Sequence, residues 1–313
     1  MEYLILVIAL AAIVLGANYL VEGSVSIAKK LHLSDFIIGA LIVGVGTSMP
    51  EMAVSVMGAV RGNADIAIGN VIGSNIFNVF GILGITAVIF PVAVSKSNFR
   101  FDLPLCIFVS VLSMLLTYNF FNGSPAEISR ADGIILLGLF CVFITLSFLR
   151  DRRNPVPQKN DIKENGSPIW ISLIQVGGGL AVLITGCNYF VDEAVVIARN
   201  LGVGDAFISI TLIACGTSLP ELAASITAAF KKNSQLALGN IVGSNIFNIL
   251  LILGLSSVIT PLNTDGITMT DYCVMIVSSI LPLLFGFKGR ISRIGGFVMI
   301  LCFIAYTVWM LLG

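Results

Sequence analysis

Adding 170 to any position from Val14 to Pro91 lands on its counterpart between Ile184 and Pro261, with no gap on the way. About 34 of the 76 pairs from Gly16 onward are identical, including polar positions such as Asn18/Asn188, Asp35/Asp205 and Asn78/Asn248. Apolar low-complexity sequence does not give gapless identity at polar positions, so the chain contains a duplicated unit. The medium then decides what such a unit can do. The 313 residues are 57% hydrophobic and only 11% charged, with mean hydropathy +1.01, whereas a soluble domain carries about 25% charged residues. This composition belongs in a bilayer.

Apolar segments long enough to span recur ten times, near 2–28, 34–61, 65–90, 101–120, 131–149, 168–198, 204–230, 235–260, 271–287 and 294–312. The first has no basic region before it and runs into the repeat, so it reads as a mature span and not a signal peptide. One substantial hydrophilic stretch, Arg150 to Ser167, holds Pro155, Pro157, Gly166 and alternating charges. It reads as a linker, too short to fold as a domain. The expected organisation is a unit over 1–149, a linker over 150–167 and a second unit over 168–313. Each unit has five spans, and two odd units in tandem cross the membrane in opposite senses. The fold expected is an all-α polytopic membrane protein of ten transmembrane helices, built as two inverted five-helix repeats.

Loop charges give the orientation. With the N-terminus outside, the inward loops carry Lys29, Lys30, Lys96, Arg100, Arg150, Arg152, Arg153, Lys159, Lys163, Lys231, Lys232, Lys288, Arg290 and Arg293, and the outward loops Arg61, Arg130 and Arg199. Fourteen against three is a positive-inside bias that puts both termini outside and the linker in the cytoplasm. A multi-pass protein of the cell (inner or plasma) membrane is expected.

Inside the repeats, one hexapeptide stands out: Gly46-Thr47-Ser48-Met49-Pro50-Glu51 and its copy Gly216-Thr217-Ser218-Leu219-Pro220-Glu221. Each sits in the middle of a span, where a carboxylate costs about 2.5–3.5 kcal/mol. Pro50 and Pro220 lack an N–H and clash with the carbonyl four residues back, so helices two and seven are expected to break there. A break at that depth is tolerated where the freed backbone is buried or lines a cavity. It would present carbonyls around Gly44, hydroxyls at Thr47 and Ser48, and the Glu51 carboxylate. Ser48-x-x-Glu51 also satisfies the capping-box pattern. A neutral side chain would cap at lower desolvation cost, however, so capping does not account for an acid in both copies.

The third span of each unit supplies a matching face. Asn70, Ser74 and Asn78 fall at i, i+4 and i+8, and Asn240, Ser244 and Asn248 repeat the stripe. Gly69-x-x-x-Gly73 and Gly239-x-x-x-Gly243 on the same segments allow another helix to approach closely. Asn75 and Asn245 lie off the stripe and read as interhelical glue. Together the two copies offer two carboxylates, hydroxyls, amide oxygens and backbone carbonyls. These are hard oxygen ligands of the kind Ca2+ takes in sixes to eights, and two Glu neutralise one Ca2+. Na+ would compete for the same oxygens, which is a route to exchange.

The remaining features exclude more than they suggest. Net charge is zero, from 17 basic and 17 acidic residues, which implies neither nucleic acid nor an acidic partner. Cys106, Cys141, Cys187, Cys215, Cys273 and Cys302 all fall in apolar spans without a CxxC pair and read as packing residues. His32, the single histidine, lies in a short loop, and there is no HExxH or nucleophile–base pair, so no enzyme is expected. A channel would gather symmetry from oligomers around a pore, whereas here one chain carries its own inverted pair and a monomer suffices. Glu22, Asp192 and Glu193 approach span ends as possible pathway acids, and Asp35 and Asp205 as N-caps.

GTSMPE with GNVIGSNIFN, and GTSLPE with GNIVGSNIFN, resemble the two alpha-repeat signatures of the cation/calcium antiporter superfamily, in its sodium/calcium exchanger branch. The resemblance covers about half the chain and implies ten helices, with Ca2+ and several Na+ held among helices 2, 3, 7 and 8 and no cofactor. It implies Glu51 and Glu221 as central carboxylates, with Thr47, Ser48, Thr217 and Ser218 as hydroxyl and carbonyl ligands around them. Ser74 and Ser244 would flank as Na+ ligands, Asn78 and Asn248 would complete the ring, and Gly44 and Ala214 would offer backbone carbonyls. Helices 1 and 6 would slide across the others to alternate access. K+-dependent members have Asp where this chain has Asn248, which points away from K+ cotransport. Animal members carry a large regulatory insert where only Arg150–Ser167 is present here. Na+/Ca2+ antiport is therefore expected, with H+/Ca2+ exchange as the alternative, since two nearby Glu can titrate as a pair, or else K+-dependent Na+/Ca2+ exchange.

Overall fold

The computed structural model describes residues 2–118, 127–153, 168–200, 216–263 and 266–312. Eleven helices are named here in chain order: α1 (Glu2–Leu31), α2 (Asp35–Thr47), α3 (Met49–Val60), α4 (Ala64–Ile89), α5 (Asn98–Tyr118), α6 (Arg130–Arg153), α7 (Ile169–Asn200), α8 (Leu219–Phe230), α9 (Ser234–Ile259), α10 (Met269–Phe285) and α11 (Arg293–Leu312). Among the described residues eight helices are long and apolar enough to cross a membrane, and the bent pair α2–α3 makes a ninth. The expected span over 204–230 contributes α8, its second half; positions 201–215, with Asp205, Ala214 and Cys215, lie outside the described residues.

The break in the second span falls where the sequence places it. α2 and α3 meet at Ser48 (φ −82°, ψ 8°) with a bend of 49°. Pro50 lands in the first turn of α3, where its missing N–H leaves no vacancy in the ladder. Ser218 takes the same conformation (φ −91°, ψ 8°) before α8, with Pro220 in the first turn. At the start of α2, Ser34 is the N-cap, its hydroxyl accepting from Ile37 N at 3.3 Å. Asp35 is the first helical residue, not the cap: the hydroxyl one position earlier already reaches the orphan amide. α6 runs past its expected end at 149 to Arg153. Its last turn is held by Arg150 on the buried carboxylate of Asp102 and by Asp151, which accepts from Ser34 N at 2.9 Å.

The repeats interlock. β1 (Val92–Ala93), which follows α4, pairs antiparallel with β4 (Arg290–Ile291), which precedes α11. β2 (Glu127–Ile128), before α6, pairs with β3 (Leu262–Asn263), after α9. Each unit thus sends its fifth helix to the other: α6 packs on α9 and α11 on α4. Ser234 and Gln235, at the start of α9, bond the backbone of Ala93 at the end of α4, so α4 and α9 run antiparallel. Basic residues at helix ends tie neighbouring elements together: Lys30 bonds Ser172, Lys231 bonds Glu22, and Arg293 and Arg130 reach the last carbonyls of α4 and α9, Ile89 O and Ile259 O.

α4 and α9 form the centre, 72% and 83% buried, against 17–33% for the other long spans. Their small residues let backbones touch. A Cβ on Gly239 would lie 2.2 Å from Phe36 O, and one on Gly243 would lie 2.4 Å from Ala40 Cα, so α2 and α9 cross in backbone contact. The positions 170 residues after Phe36 and Ala40, 206 and 210, lie outside the described residues. α1 and α7 are a separate pair, packed along their length with Gly16 against Leu183 N and Gly179 against Leu20 N. The main core omits them. They join a smaller one, where Ala17, Leu20, Val21 and Leu183 meet Ala224, Ala228 and Leu236.

Gly243→Val is expected to cost about 1–3 kcal/mol by overpacking the α2–α9 crossing, read as a lowered melting temperature in detergent. Gly138→Ala, with nothing within 4 Å of the added methyl, should leave the melting temperature unchanged.

Candidate functional site

Glu51 and Glu221 occupy the third positions of α3 and α8, and both are fully buried. Each carboxylate is bonded by the other repeat. Ser48 Oγ donates to Glu221 Oε1 at 2.9 Å, and Ser218 Oγ donates to Glu51 Oε1 at 2.7 Å. Ser218 Oγ also lies 3.1 Å from Ser74 Oγ. Neither serine makes a capping bond to its own helix. The capping-box arrangement is therefore absent, because each hydroxyl is drawn across the twofold to a carboxylate. Among the described residues no Lys, Arg or His pairs with either Glu, and no group of three or more His, Cys, Asp and Glu occurs.

The polar stripes divide by task. Asn70 Nδ2 donates to Glu51 O (3.0 Å) and Ser55 Oγ (2.9 Å), and Asn240 Nδ2 donates to Glu221 O (3.2 Å) and Ser225 Oγ (2.9 Å). These amides hold the turn that carries each acid. Ser55 and Ser225 were legible only as one more identity in the repeat. Thr47 Oγ1 donates to Val43 O at 3.0 Å and lies 3.3 Å from Asn240 Oδ1. Ser244 Oγ donates to Gly44 O at 3.3 Å, which fixes a carbonyl at the end of the first half-helix. Thr217 Oγ1 has no partner among the described residues.

Ser74 and Ser244 precede two π-helical segments, Phe77–Leu83 in α4 and Asn248–Leu253 in α9, and Asn78 and Asn248 lie within them. Such wide turns recur at functional sites. Asn78 Nδ2 donates to Asn245 Oδ1 and Asn248 Nδ2 to Asn75 Oδ1, both at 3.0 Å. Among the described residues, four buried oxygens of this cluster are then left without a hydrogen-bond donor: Glu51 Oε2, Glu221 Oε2, Asn78 Oδ1 and Asn248 Oδ1. Two carboxyl and two amide oxygens, buried and unpartnered there, are a donor set suited to a hard cation.

The lesser acids stay apart from this cluster. Glu22 is exposed and pairs with Lys231 at 2.8 Å, and Asp192 is exposed. Sequence reasoning did not anticipate the Asp102–Arg150 pair, whose members lie 48 residues apart in the first repeat.

The family model for sodium/calcium exchanger protein matches residues 1–149 and 171–312. The putative antiporter CaxA of Alkalimonas amylolytica is 36% identical over 310 residues, covering 96% of this chain and 95% of CaxA. The sodium/calcium exchanger MaX1 of Methanosarcina acetivorans is 33% identical, covering 98% and 97%. The structure of the sodium–calcium exchanger NCX_Mj soaked with zero Na+ and Ca2+ superposes with TM-score 0.84 at 28% identity, covering 99% of this chain and 98% of that one. A multi-pass helical chain, matched along nearly its whole length in sequence and in fold, belongs to the sodium/calcium exchanger family.

Proposed function

We propose that the protein is a Na+/Ca2+ antiporter that works by alternating access, with Ca2+ and Na+ as its cargo. The observation that carries this reading is the quartet of buried, unpartnered oxygens on Glu51, Glu221, Asn78 and Asn248. Two carboxylates balance one Ca2+, and its shell of 6–8 oxygens is completed from Thr47, Ser48, Thr217, Ser218, Ser74, Ser244 and the carbonyls of Gly44 and Ala214. Na+ takes the same oxygens in greater number, so the two ions exclude one another from one site. The name of MaX1, a sodium/calcium exchanger, supports the ion pair.

The moving part in this reading is the α1–α7 pair. Its helices pack tightly on each other and share only a small core with the rest. Both termini lie outside the cell membrane and the 150–167 linker in the cytoplasm, with 1–149 and 168–313 as the two topological units.

Three measurements test the proposal. Ca2+ uptake into vesicles loaded with Na+ should follow the imposed Na+ gradient; uptake driven equally well by a pH gradient without Na+ would replace Na+ by H+ as the coupled ion. Glu51→Gln should lower Na+-driven uptake by at least about tenfold, since a bond to a charged group is worth about 1.5–3 kcal/mol, while the variant keeps its melting temperature. Normal transport by Glu51→Gln would remove the carboxylate from the site. In a cysteine-free background, Lys231→Cys should react with an impermeant maleimide only from the cytoplasmic face and Arg130→Cys only from outside.

A further inference from the structure

We infer that Asn75 and Asn245, which lie outside the ion-ligand set, are positioning residues that fix the polarity of the site by forcing Asn78 and Asn248 to present oxygen to the cation. The inference rests on the exchange reading above and adds the means by which two neutral ligands are kept facing the right way.

An asparagine amide is nearly symmetric in shape, and a free one turns either its oxygen or its NH2 toward a cavity. An NH2 group turned inward would repel a cation. What prevents this is a chain of bonds that starts from groups unable to turn over. Asn75 Nδ2 donates to the backbone carbonyl of Asn245 at 3.2 Å, and Asn245 Nδ2 donates to the backbone carbonyl of Asn75 at 3.3 Å. A carbonyl only accepts, so both amides must direct their nitrogen to the helix crossing. The second N–H of Asn75 lies toward Met275 Sδ at 3.9 Å, another acceptor. Each Oδ1 is thereby turned to the opposite ligand: Asn75 Oδ1 to Asn248, and Asn245 Oδ1 to Asn78, at 3.0 Å each. Those side chains must answer with nitrogen. Their own oxygens, Asn78 Oδ1 and Asn248 Oδ1, are left buried with no donor among the described residues.

The logic passes from backbone carbonyl to positioning amide to ligand amide, once in each direction across the twofold. It also explains why the outer pair are asparagines. A serine would glue the crossing but would not reach on to the ligand. A carboxylate would set oxygen against the partner's carbonyl. The same bonds join α4 to α9, so the helix crossing and the ligand orientation are fixed by one set of four side chains.

The test is a double-mutant cycle on the full-length chain: Asn75→Ala, Asn248→Ala and the pair. Two readouts are taken: the Ca2+ concentration for half-maximal Na+-driven uptake, and the rise in melting temperature produced by Ca2+ alone. Removing a group that orients a metal ligand weakens metal affinity by roughly 10–100-fold. Asn75→Ala should therefore raise the half-maximal Ca2+ concentration by that factor, with a smaller effect on maximal rate. The pair should be no worse than Asn248→Ala, because Asn75 has nothing left to orient. A wild-type Ca2+ dependence in Asn75→Ala, or a pair whose defect is the product of the two single defects, would overturn the inference and leave Asn75 as helix glue. Should Asn75→Ala not fold, the milder Asn75→Ser and the mirror cycle of Asn245→Ala with Asn78→Ala carry the same expectations. If the wild-type protein shows no Na+-driven uptake, the exchange reading fails. The Ca2+-induced melting shift then still decides whether Asn75 acts through Asn248.

Discussion

Two carboxylates buried in membrane-spanning helices, with no basic side chain paired to them among the described residues, set the terms for the rest of the molecule. Insertion alone costs about 5–7 kcal/mol for the pair. The two crossed bonds, Ser48 to Glu221 and Ser218 to Glu51, return about 1.5–3 kcal/mol each. They quiet one oxygen of each acid and leave the other open. Neither repeat can make these bonds alone, so the site exists only where the two halves meet. The break between α2 and α3 frees carbonyls that an unbroken span would hold in its ladder, and near it Gly44 O accepts from Ser244 Oγ of the other repeat.

Around that demand the helices sort by burial. α4 and α9 lie at the centre and carry the asparagines and serines, and the glycines of α9 admit α2 at backbone distance. A polar helix is tolerable in lipid when other helices cover most of it, and α4 and α9 are the most buried of the long described spans. The peripheral helices have large exposed apolar side chains, such as Phe108 on α5, Ile134 on α6 and Ile304 on α11, which suit a lipid surface. α1 and α7 differ from these, since their interface with each other is closer than either has with the main core.

Much of this was legible in the sequence because the duplication carries its own control. An identity at offset 170 marks a position that both halves need, so Glu51, Ser48, Asn78 and the break at Pro50 could be read without any structure. The split of the stripe could not. Asn70 and Asn78 have the same side chain on the same helix face, yet one ties down the backbone of Glu51 and the other leaves its oxygen free. That difference depends on which group lies opposite, and helical spacing within one segment carries no information about the partner. Asn75 and Asn245 read as interhelical glue, and each does bond the other's backbone carbonyl across α4 and α9; that their oxygens also meet Asn248 and Asn78 depends on the opposite helix. Asp35 was assigned to a cap that Ser34 holds, an error of one residue that follows from weighing an acid over the neighbouring hydroxyl. The linker's beginning was placed too early because Arg150 and Asp151 look solvated in sequence, whereas their partners, Asp102 and Ser34, lie elsewhere in the chain.

The small ribbons at the two ends of the bundle bear on how such a chain is made. β1 leaves the translation machinery early, but its partner β4 immediately precedes the last helix. The seat of α11 on α4 likewise stands vacant until α11 itself has been made. The first repeat therefore leaves the ribosome with an unpaired strand and an open flank, and both close only when the second repeat supplies β4 and α11.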